Sequence, residues 1–177
     1  MNFLKIIICI SLFAMTFQDL KYRAISWYYF AIILISIIII QSSSINDETN
    51  FILNVICNIG FVTLLFLILL VLYNPIKKPF ADFFNEYSGI GDWLLFLILS
   101  FAFDTVSFVF YMTIGFILSL FTHLILRILI KNYSKTVPLA GLMSCLLGLI
   151  LLISIIIPDV INFEIFDIYS FNMFYGT

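Results

Sequence analysis

Two acidic residues stand at the edges of apolar runs: Asp19 follows Phe3–Phe17, and Asp92 precedes Trp93–Phe103. A carboxylate drawn into a bilayer costs a few kcal/mol or more, so it marks a functional site by default. Two carboxylates held close cannot both ionise, and one keeps a proton. The ionised partner can then activate water while the protonated one polarises a peptide carbonyl, which is the chemistry of aspartic proteolysis. The same pair could instead bind a proton or cation in a transporter, or sit solvated at the interface. The residues before Asp92 favour proteolysis. They read Tyr87-Ser88-Gly89-Ile90-Gly91-Asp92, a GxGD pattern opening an apolar run. Gly89 and Gly91 permit unusual backbone angles and the close approach of an extended peptide. The competing expectation is that they only let helices pack closely.

The remaining polar residues point to no second chemistry. His123 lies inside Thr105–Leu126 with no metal-ligand candidate spaced beside it, and is expected to make a packing hydrogen bond. Asp104 falls at the other end of its span and reads as a loop acid. Cys9, Cys57 and Cys145 sit within apolar runs without a CxxC spacing, so neither a zinc site nor a disulfide framework is expected, and they read as small packing residues. No metal and no cofactor is expected. A net charge of −2 without a basic patch gives no footprint for nucleic acid. Trp27, Tyr28 and Tyr29 form an aromatic group of the kind found at membrane interfaces.

What must position Asp19 and Asp92 is a set of membrane helices. With 64% hydrophobic and only 10% charged residues, the chain cannot clothe a soluble domain of 177 residues. Six apolar stretches are expected to be spans: Phe3–Phe17, Trp27–Ile40, Phe51–Tyr73, Trp93–Phe103, Thr105–Leu126 and Val137–Ile157. The fold class is therefore all-α, a polytopic protein with six transmembrane helices and the lipid bilayer as its surroundings. The third, fifth and sixth stretches are long enough for a hydrocarbon core of about 30 Å. The fourth would reach only about 16 Å at 1.5 Å per residue. It must borrow residues from Tyr87–Asp92, and the first benefits from taking in Gln18 and Asp19. Span length thus pulls both aspartates toward membrane depth. The first stretch resembles a signal peptide, but Lys21 and Arg23 directly after it read as a retention signal, so it is kept as a span.

Charge sets the orientation. Lys21 and Arg23 follow span 1, Lys77 and Lys78 follow span 3, and Arg127, Lys131 and Lys135 follow span 5. These are seven of the eight basic residues, and all fall on one side. The alternate connections carry Asp47, Glu48 and Asp104, and the tail carries Asp159, Glu164 and Asp167. The positive-inside rule makes the basic side cytoplasmic, with both termini outside and both aspartates at the cytoplasmic face. Residues 1–157 form one domain, and 158–177 an extracytoplasmic aromatic and acidic tail. The connection from Asn74 to Ser88 carries Asp82 and Glu86 among aromatic residues. It is expected either to lie on the interface as an amphipathic helix or to guide a basic substrate by charge.

Three stretches resemble the type IV prepilin peptidase family, a GxGD intramembrane aspartyl protease class related to archaeal preflagellin peptidases. They are Asp19-Leu20-Lys21-Tyr22-Arg23-Ala24-Ile25-Ser26, then Gly89-Ile90-Gly91-Asp92, and, more weakly, Val137-Pro138-Leu139-Ala140. The resemblance covers roughly residues 1 to 157. It implies that Asp19 and Asp92 are the catalytic pair, and that Gly89, Gly91 and Pro138 position substrate or backbone. It also implies a prepilin or pseudopilin-like substrate, cleaved at the cytoplasmic face of the inner membrane just before its hydrophobic segment. The chain departs from the family's pattern at Leu94, where a Lys is usual, and at Ser26, where a Pro is usual. It lacks the cysteine-rich region associated with N-methylation, so peptidase without methyltransferase is expected. The alternative is a non-catalytic relative serving as an assembly factor, or a small proton- or cation-coupled transporter. The residues leave the oligomeric state open.

Overall fold

Long runs of Leu, Ile and Phe with no interior Pro satisfy every backbone group within the segment only as helix, the form a lipid environment requires. The computed structural model describes residues 2–44, 48–73, 89–129 and 137–156, and among these the elements are helices without strands. They are α1 (Asn2–Tyr22), α2 (Trp27–Ser44), α3 (Glu48–Tyr73), α4 (Ile90–Leu99), α5 (Thr105–Leu129) and α6 (Leu139–Ile156). Within them, Phe3–Tyr22, Thr49–Leu72, Thr105–Leu129 and Leu139–Ile156 are long and apolar enough to cross a membrane. The bundle turns large apolar side chains outward, among them Phe3, Ile10, Val71, Phe110 and Ile128. Water would not tolerate so much exposed apolar surface, and lipid does. The connection holding Asp82 and Glu86 and the tail from 158 lie outside the described residues.

The closest pairing is α1 on α6. On α1 the buried residues Ile8, Cys9, Leu12, Met15, Thr16 and Asp19 recur at helical spacing. On α6 the matching face is Ala140, Gly141, Ser144, Leu147, Gly148 and Leu151. Its small residues let the two backbones approach, as membrane interfaces commonly require. The Thr16 hydroxyl shares its one proton between the Leu12 carbonyl of its own helix at 2.9 Å and the Gly141 carbonyl at 3.0 Å, and the Cys9 thiol donates to the Gly148 carbonyl at 3.5 Å. Early α1 thus meets late α6, so the pair is antiparallel. α2 packs on α1, and α5 packs on α6, where the Tyr111 hydroxyl donates to the Met143 carbonyl at 2.7 Å. α3 leans on α5 through Phe61 and Phe108, edge to face.

The fourth span departs from expectation at its far end. It takes in Ile90–Asp92, as its length demanded, but stops at Leu99, and Ser100–Phe103 form a turn. The turn's carbonyls face apolar surroundings and need donors. Asn58 on α3, fully buried, supplies them: its Nδ2 donates to the Ser100 carbonyl at 3.1 Å and to the Phe103 carbonyl at 2.9 Å. Gln41 on α2 reaches the Phe101 carbonyl at 3.4 Å. Asp104 is more than a loop acid, for its Oδ2 accepts from the Ser107 N–H at 3.3 Å and caps the start of α5.

Candidate active site

Three helix ends build the site. The first is the end of α1. Arg23 closes it in a left-handed conformation, φ 54°, and donates its N–H to the Asp19 carbonyl at 3.0 Å. A glycine would take this shape freely; arginine takes it at a cost of about 1–2 kcal/mol. The chain then doubles back, and the Gln18 side chain accepts from the Ser26 N–H at 3.0 Å, fixing the turn into α2. Ser26 stands immediately before α2, where serine is a preferred cap.

The second is the start of α4. Gly89 is its N-cap in an ordinary extended conformation, φ −67° and ψ 142°. None of the glycines among the described residues has a positive φ, so the expected unusual backbone angles are not what Gly89 and Gly91 supply. Nor does close approach demand a glycine at Gly91: a Cβ there would lie 3.4 Å from Ile25 Cδ1, an ordinary contact with the α1–α2 turn. Asp92 falls in the first turn of α4, where its carboxylate also faces the Gly89 backbone amide. An acid at that position favours a helix N-terminus.

The third is the start of α6. The Leu142 N–H donates to the Pro138 carbonyl at 3.0 Å, which makes Pro138 the N-cap. Proline has no side-chain acceptor, so the first-turn amides behind it need partners from elsewhere. The two aspartates provide them. The Ala140 N–H donates to Asp92 Oδ1 at 2.8 Å, and the Gly141 N–H donates to Asp19 Oδ2 at 2.8 Å. Charge assistance and the positive end of the helix strengthen both bonds. Carboxylates 73 positions apart in sequence thus rest on consecutive amides of one helix, close enough to feel each other's charge. Asp19 is buried and Asp92 half-buried.

Both line an open cavity of about 1260 Å³, large enough for a peptide segment. Its lining includes Trp27, Phe30, Trp93, Phe96, Phe116 and Pro138. Among the described residues, Arg23 is the basic one lining it. Leu94 also lines it, so the position where the resemblance expects lysine contributes apolar surface here.

Asp19, Asp92, Gly89, Gly91 and Pro138 therefore gather in one place. His123 is buried on α5 and is not among the cavity residues. Cys9 is buried and Cys145 half-buried, but Cys57 is exposed, facing outward rather than packing. No three His, Cys, Asp or Glu cluster together among the described residues. Sequence reasoning missed the amides of Ala140 and Gly141, because a backbone donor leaves no mark in residue type. The signal to look for was a helix opened by proline with no Ser, Thr, Asp or Asn to cap it. Comparison with known proteins finds no matching family model, no matching curated protein and no matching solved structure.

Proposed function

We propose that this protein is an intramembrane aspartyl endopeptidase that removes the leader peptide of prepilin- or pseudopilin-like substrates at the cytoplasmic membrane face. The observation that carries the reading is the seating of Asp19 and Asp92 on adjacent α6 amides beside a peptide-sized cavity. Side by side, the two carboxyls can share one water. A transport path would instead space them in series across the membrane.

In the proposed reaction one carboxylate takes a proton from the water as its oxygen attacks the peptide carbonyl carbon. The protonated partner donates a hydrogen bond to the carbonyl oxygen, where negative charge develops. The tetrahedral adduct then collapses, the C–N bond breaks, and the departing nitrogen takes the proton. One oxygen of each aspartate is held by α6, Asp19 Oδ2 on Gly141 and Asp92 Oδ1 on Ala140, so the reacting proton and water are assigned to the other oxygen of each.

The test is co-expression with a candidate prepilin and a mobility-shift assay for leader loss. The unaltered chain is expected to process it. Asp19→Asn, Asp92→Asn and the double variant should each lose activity to a similar extent, because members of one catalytic unit do not contribute additively. Near-normal cleavage by either single variant, present in the membrane at normal level, would refute the aspartyl mechanism.

A further inference from the structure

We propose that Gly141 is a positioning residue for the dyad: by carrying no side chain, it holds the Asp19 carboxylate on the α6 amide row that sets its spacing from Asp92. The inference rests on the peptidase reading of the same site and concerns what fixes its geometry.

A Cβ on Gly141 would lie 2.8 Å from Asp19 Cβ, 2.8 Å from Asp19 Oδ2 and 3.2 Å from Asp19 Cγ. No real Cβ tolerates the first two distances, so something must move. Asp19 Cβ cannot swing away, since it is fixed to the α1 backbone. That backbone is tied to α6 at the same residue by the Thr16 bond to the Gly141 carbonyl, and again at Gly148 by Cys9. Rotation of the carboxylate off the Gly141 N–H relieves the contact with Oδ2, and the contact with Cβ is relieved only if the α1–α6 seam opens; either movement takes Asp19 off the amide.

That bond fixes more than one side chain. Amide N–H groups at a helix start point along the axis, parallel to one another. Acceptors on two consecutive amides therefore lie side by side, at roughly the spacing of the nitrogens. With Asp92 on Ala140 and Asp19 on Gly141, the separation of the carboxyls is a property of helix backbone rather than of two flexible side chains. Two other glycines give the contrast. At Gly115 a Cβ would meet Met143 Cε at 2.7 Å, the far end of a thioether that can swing clear. At Gly148 it would meet the Phe13 ring at 3.3 Å, in the same α1–α6 seam but about two turns from the carboxylates.

The experiment compares Gly141→Ala, Gly148→Ala and Gly115→Ala in the full chain in membranes, with leader cleavage followed across pH. Gly141→Ala is expected to lower kcat by about 10²-fold, the scale of a misplacement near 1 Å, with KM little changed and the limbs of the pH profile moved. The other two should keep kcat within about twofold and leave the pH profile in place, because neither touches a carboxylate. If Gly141→Ala does not accumulate, Thr16→Val reads the same seam, since it removes the hydroxyl shared between the Leu12 and Gly141 carbonyls without adding bulk. It should lower kcat and move the pH profile in the same sense. A wild-type kcat and pH profile in Gly141→Ala, or in Thr16→Val where Gly141→Ala is lost, overturns the positioning role. If Asp19→Asn and Asp92→Asn are inactive in the same assay, that failure belongs to this inference alone. Activity in either Asn variant would instead remove the peptidase reading beneath it.

Discussion

A carboxyl pair bound to one row of amides loses and gains its protons as a unit. At low pH both groups are protonated and no base remains to take a proton from water. At high pH both are ionised and no acid remains to meet the carbonyl oxygen. Leader cleavage should therefore follow a bell-shaped pH profile with two limbs belonging to the pair, measurable as kcat/KM against pH. A single rising or falling limb would mean that only one of Asp19 and Asp92 takes part. The neighbouring glycines should rank by clearance. Gly91→Ala meets Ile25 Cδ1 at 3.4 Å, an ordinary contact, while Gly141→Ala meets Asp19 at 2.8 Å, so the first should cost much less cleavage activity than the second. Equal losses at both would show that clearance is not what these positions supply. Asp19 and Asp92 were legible in the sequence because an acid at the edge of an apolar run is conspicuous. Gly141 was not, since the sequence shows a glycine in an apolar run but not the aspartate that comes to lie against it.

At the scale of elements, the device that lets α4 stop early is a single amide. Replacing Asn58 by Ala strips donors from the Ser100 and Phe103 carbonyls, both in apolar surroundings. An unsatisfied buried acceptor costs about 1–3 kcal/mol. Asn58→Ala should lower stability by that order in detergent unfolding, and Asn58→Asp by more, because it adds a charge facing two carbonyls. A stability equal to wild type in both would mean that the turn finds other donors. The six described helices and most of their starts could be read from apolar runs and the polar residues between them. The end of α4 could not, because Ser100-Phe101-Ala102-Phe103 continue the apolar pattern without a break. Asn58 was likewise hidden, as one neutral amide in the middle of a long span.

For the whole molecule, the arrangement of basic residues predicts that the α1–α2 turn, Lys77–Lys78 and the start of α6 share one face, with both termini on the other. Single cysteines placed at Lys77 and near residue 175, probed with a membrane-impermeant thiol reagent in intact cells, should label only at the second. Labelling at Lys77 would put the aspartates outside and detach them from a leader presented in the cytoplasm. The orientation is an expectation that rests on counting charges in short connections. Which helices touch is harder to read, because large apolar residues lie on both lipid-facing and core-facing sides, and only scattered small and polar residues such as Thr16, Asn58 and Ser144 mark the buried one.

The shortness of α4 has a consequence for biogenesis. Ten residues rise only about 15 Å, half a hydrocarbon core, so this segment makes a poor insertion signal by itself. The carbonyls at its far end are met by Asn58 on a helix synthesised earlier, so a template is already in the membrane when α4 leaves the ribosome. Order of synthesis and order of assembly coincide. A chain divided in the connection after α3 should reveal this. Expressed alone, residues 89–177 should be unstable and rapidly degraded. Expressed with residues 1–88, they should accumulate as an intact pair, detectable by co-purification. Equal abundance of the second piece with and without the first would mean that α4 inserts without help from α3.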